Sequence, residues 1–151
     1  MGFTMSRYLI LAASLLASTG AFAQGPAASA IFEQYGLIGI WSVDCVQPAS
    51  RQNTYIIFRT TGGAQVQRDV MIDAATRSSV STIDSAAVVS SNEIKFVQDN
   101  ERGRLTINVI LANNRWRALR SVRENGEKLI ENGLFAGDHA DTPWLNKCGG
   151  V

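Results

Sequence analysis

The sequence predicts an all-β domain: an eight-stranded antiparallel up-and-down meander that closes into a small barrel behind one short N-terminal helix. Three observations predict it. Apolar and polar residues alternate over most of the chain after residue 36, turn signals recur every eight to twelve residues, and the alternation leaves one dry face that must be covered. Eight strands of this length close naturally on themselves. A sandwich built from the same meander is the alternative.

The chain holds 151 residues with 14 Lys and Arg against 13 Asp and Glu, and 46% of it is hydrophobic. One folded domain is expected, and the near-zero net charge excludes the basic surface a nucleic-acid binder needs. Residues 1–23 read as a secretory signal peptide: Met5-Ser6-Arg7 is a cationic start, Tyr8 to Ala17 an apolar run, and Ala21-Phe22-Ala23 a small-x-small cleavage pattern. A periplasmic or secreted location follows. No later stretch has the roughly 20 apolar residues of a membrane span.

Residues 24–36 form the expected helix, with Ile31, Phe32 and Tyr35 on its apolar side and Gly36 at its end. The domain proper is 37–151. Its expected strands are about 38–46, 53–61, 64–72, 78–89, 93–99, 104–112, 115–123 and 127–135, separated by breaks such as Gly62-Gly63, Asn113-Asn114 and Asn125-Gly126. The fourth is long enough to kink near Asp84. Leu105, Ile107, Val109 and Leu111 share one face of the sixth strand, as do Val66, Val70 and Ile72 of the third. The tail from Gly137 to Val151 has no period and reads as a lid or strap.

Export makes a disulfide the expected state of Cys45 and Cys148, the chain's two cysteines, because they lack the Cys-x-x-Cys spacing of a reactive pair. A loop of that size is worth on the order of 4 to 5 kcal/mol on the chain-entropy account.

Chemistry-bearing residues are few. His139 stands alone as a histidine, and with Asp138 and Asp141 it reads as a solvated loop rather than a metal or catalytic site. No hydrolase, phosphate-loop or dinucleotide motif occurs, so neither an enzyme nor a cofactor is expected. Arg115, Arg117 and Arg123 share a strand face by parity, opposite Trp116, Ala118 and Arg120. Arg120 and Arg68 fall in phase with apolar neighbours, and a charge on an inner face must be paired or must meet an anionic ligand. Asp84 and Glu131 are the candidate partners. Trp41 and Phe96 either fill the core or line a cavity.

The helix followed by Gly39-Ile40-Trp41 at the start of the first strand resembles the Gly-x-Trp pattern of lipocalins and calycins. The resemblance covers residues 30 to 135 and implies a barrel closed at one end by Trp41, with an interior that holds a small apolar ligand. It also implies Arg120 or Arg123 in the place of the family's later Arg-bearing motif. The chain is similar, too, to small secreted and periplasmic Gram-negative proteins that combine Gly-x-Trp, a Cys soon after, and a Pro-Trp-Leu-x-x-Cys ending, here Trp41, Cys45, Pro143, Trp144, Leu145 and Cys148. That likeness carries no known activity. Small barrel inhibitors of secreted metalloproteases share the size and the single disulfide, although theirs closes a short loop.

The expected function is therefore non-enzymatic binding of a small apolar or anionic amphipathic molecule, with Arg68, Arg120, Trp41 and Phe96 as candidate contacts. A protein-interaction module, such as a secreted inhibitor or envelope assembly factor, is the alternative.

Overall fold

The computed structural model describes residues 26–151, so the expected signal segment lies outside the described residues. Helix α1 (Ala28–Gln34) precedes β1 (Gly39–Ser42), β2 (Tyr55–Thr60), β3 (Val66–Met71), β4 (Arg77–Ser90), β5 (Glu93–Asn100), β6 (Gly103–Ala112) and β7 (Arg115–Arg123). β8 (Lys128–Glu131), β9 (Leu134–Phe135) and β10 (Leu145–Gly149) complete the chain. Each strand from β1 to β7 pairs antiparallel with the next, and β10 pairs with both β1 and β7. The result is a closed eight-stranded antiparallel barrel.

The ring is closed by a different segment from the expected one. Residues 127–135 form the hairpin β8–β9, because Asn132-Gly133, both at positive φ (54° and 78°), turn the chain back after Glu131. That hairpin pairs with the end of β7, where Ile130 meets Ser121 and Lys128 meets Val122, and its Gly133 N–H donates to the Leu119 carbonyl (2.8 Å). The tail read as a strap instead supplies β10, with Leu145 opposite Trp116 and Asn146 opposite Ser42. Gly39 permits this closure. A Cβ there would lie 2.5 Å from the Gly149 carbonyl oxygen.

Two bulges set which residues face inward. In β4 the register shifts between Ile83 and Ser85, so Ile83 and Ala86 both face in although three positions apart. This is the irregularity expected near Asp84. In β7 the register shifts across Leu119, so that Asn108 meets Arg120 while Val109 meets Ala118. Parity inverts there: Trp116 and Ala118 face in before the bulge, and Ser121 after it.

Helix α1 plugs one end. Gly36 (φ 66°) closes it, with the Gly36 N–H on the Glu33 carbonyl and the Leu37 N–H on that of Phe32. Phe32 is fully buried and its ring stands edge-on to Phe58 (5.1 Å between centroids) and Phe96 (5.3 Å). Burial of such a side chain stabilises the fold by about 2 to 3 kcal/mol. Trp41 donates its indole N–H to the Leu37 carbonyl (2.8 Å), and Lys147 lies 5.4 Å above its ring. The cation over Trp41 thus comes from β10.

Cys45 and Cys148, 103 positions apart, are joined by a disulfide. It fastens the loop after β1 to the closing strand.

Candidate functional site

The end of the barrel opposite α1 is hollow. A cavity of about 630 Å³ runs down between β2, β3, β5, β6 and β7, within the range of small-molecule sites. Phe96, Ile107 and Trp116 line its deeper part, Ile56 and Leu105 its walls, and Leu129, Ile130, Phe135 and Pro143 its mouth. Apolar surface dominates throughout.

The loop between β1 and β2 forms the opposite lip and brings Arg51 and Gln52 to the cavity. Asn53 organises that loop. Its carboxamide donates to the carbonyls of Asp44 (2.8 Å) and Gln47 (3.1 Å), and accepts from the Ser42 hydroxyl (2.7 Å) and the Asp44 N–H (3.0 Å). With the disulfide at its start, the loop is held at both ends.

Arg68 projects from β3 between Phe58 of β2 and Ser81 of β4, both 1% exposed. Its guanidinium has no hydrogen-bond or ion-pair partner among the described residues, and desolvation lowers its pKa from the ordinary arginine value to about 10. Neither candidate carboxylate reaches it. Asp84, displaced to the outside by the β4 bulge, accepts from Gln65 (2.8 Å) and lies 3.7 Å from Arg104, while Glu131 is held by Lys128 at 2.5 Å. The cavity is lined by two arginines, Arg51 and Arg68, and by no acidic residue.

Of the four candidate contacts, Arg68 and Phe96 line the cavity. Arg120 does not. The bulge at Leu119 turns it outward, where it is exposed beside Glu93, Asn108 and Glu131 and helps to hold the Glu131 carboxyl low, after Lys128 as the larger cause. Trp41 is 2% exposed and packs edge-on against Trp116 at the far end, bordering a separate hollow with Tyr35 and Leu111. His139 sits exposed in a turn at φ 56°, its N–H on the Phe135 carbonyl. No group of three metal-ligating side chains occurs among the described residues.

Sequence reading missed Arg51, Gln98 and Ser121. Gln98 was legible, since it continues the inward phase of Ile94 and Phe96. Ser121 was not, because its orientation depends on the bulge, and Arg51 lies in a loop without period.

Fold and site define a class, a small closed antiparallel barrel with one cationic, largely apolar cavity. No known protein family, curated protein or solved structure matches the chain.

Proposed function

We propose that the chain is an exported, non-enzymatic carrier, lipocalin-like in its mode of binding, that holds a small amphipathic molecule by an anionic head group. One observation supports this most: Arg68 is a desolvated, unpartnered cation inside an otherwise apolar cavity. Burying a lone charge is costly, and a carboxylate or phosphate supplies the charge-assisted bonds that offset it. Arg51 at the lip adds a second positive charge on the approach. Export is supported by the signal-like residues 1–23 and by the disulfide, and no helix among the described residues is long and apolar enough to cross a membrane.

Calorimetric titration with decanoate and decanol tests the proposal. Decanoate should bind at least tenfold more tightly, and Arg68→Met should remove the difference. Equal affinities, or binding of neither, would contradict it.

A second reading, docking of a protein partner, is favoured by the apolar residues exposed beside the mouth: Val43, Val46 (90% exposed), Leu134 and Phe135. It predicts that Val46→Asp abolishes crosslinked complexes in the native envelope while decanoate still binds.

A further inference from the structure

Two polar atoms of the cavity lining are as unpartnered as Arg68. Trp116 is 4% exposed and Gln98 2%, and neither the indole Nε1 nor the carboxamide Oε1 has a hydrogen-bond partner. Both residues line the same hollow as Arg68. The Trp116 ring lies 5.7 Å from Phe58, whose register neighbour is Arg68. Phe58 lies in turn 6.3 Å from Phe96, two residues before Gln98 on the same face of β5.

Native interiors rarely leave such groups unsatisfied, and each stranded donor or acceptor carries a desolvation penalty. A plain fatty acid would answer Arg68 alone. A ketone would answer the Trp116 N–H but not the Gln98 oxygen, which needs a donor, and an amine would add a third positive charge beside Arg51 and Arg68. A hydroxyl both accepts and donates.

Resting on the carrier reading, we propose that the ligand is a hydroxylated acid: an apolar body with an anionic head for Arg68 and at least one hydroxyl that meets the Trp116 N–H or the Gln98 oxygen.

The probes are decanoic acid and decanoic acids hydroxylated at the second, third or terminal carbon, titrated calorimetrically into the oxidised protein. At least one hydroxylated acid should bind roughly tenfold more tightly than decanoic acid. Trp116→Phe and Gln98→Leu should each shrink that gap, read within each variant as the ratio of its affinity for the hydroxylated acid to its affinity for decanoic acid, with folding checked by near-ultraviolet circular dichroism. If no hydroxylated acid surpasses decanoic acid in the unmutated protein, the inference is overturned and the carrier reading stands. Should none of the acids bind, the carrier reading itself is lost. The unmutated protein decides both questions even where a variant fails to fold.

Discussion

Replacing Arg68 by methionine should make the empty protein more stable. A cation whose pKa falls on folding is penalised in its charged form. The penalty is fully present below the folded value of about 10 and is relieved as pH rises from there toward the ordinary arginine value. At pH 7 the shift corresponds to about 3 kcal/mol, an upper value because the cavity admits some solvent to the guanidinium. Methionine fills much of the same space without the charge. Thermal unfolding of Arg68→Met at neutral pH should therefore show a melting temperature higher by several degrees, about 10 °C at most. The same variant should lose its preference for decanoate, so stability and binding move in opposite directions, the usual relation at a functional site. Loss of 2 kcal/mol or more in urea unfolding would refute the reasoning. That result is expected of a broken internal ion pair, typically about 3 to 5 kcal/mol.

Three further outcomes follow from particular contacts. Asp69, fully buried on the outside of β3, is held by Arg59, by Gln67 (2.7 Å) and by Arg77 (3.8 Å), so Asp69→Ala should cost about 3 kcal/mol in urea unfolding. Reduction of Cys45–Cys148, or its double replacement by serine, should lower stability by about 4 kcal/mol, measured by denaturant unfolding with and without reductant. The carboxyl of Asp99 is raised by its hydrogen bond with Asp84, and then by desolvation, which together outweigh Arg104. Folding thus favours its protonated form, and this group adds stability as pH falls from its raised value to the ordinary carboxylate value. Asp99→Asn should flatten the stability profile in that acid window, and melting curves across it check the sign.

Much of the barrel was legible because its rules are local. Asn113-Asn114 sit at φ 50° and 58° in the turn between β6 and β7, and the alternation through Leu105, Ile107 and Val109 gave the inner face of β6 directly. Arg68 was found the same way, between Val66 and Val70. What the sequence hid depends on pairing. A bulge inverts parity without a residue that announces it, which is how Arg120 passed for an inner residue and Ser121 for an outer one. β10 carries Leu-Asn-Lys-Cys-Gly, with Leu145 its one buried residue, so its strand character comes from neighbours on both sides and not from its own pattern. The expected eighth strand was lost to Asn132-Gly133, a hairpin signal at least as strong as the one at Asn125-Gly126. Trp41 occupies the closed end, beyond reach of the cavity, because its indole is tied to the chain leaving α1.

Native mass spectrometry of the oxidised protein, purified from the envelope or medium of its own host without detergent, tests most directly whether the barrel carries a ligand. The account predicts a retained small molecule that organic extraction identifies as an acid, present in the unmutated protein and absent from Arg68→Met, while the disulfide stays intact. An unmutated protein that emerges empty, or an adduct that persists undiminished in Arg68→Met, would contradict it.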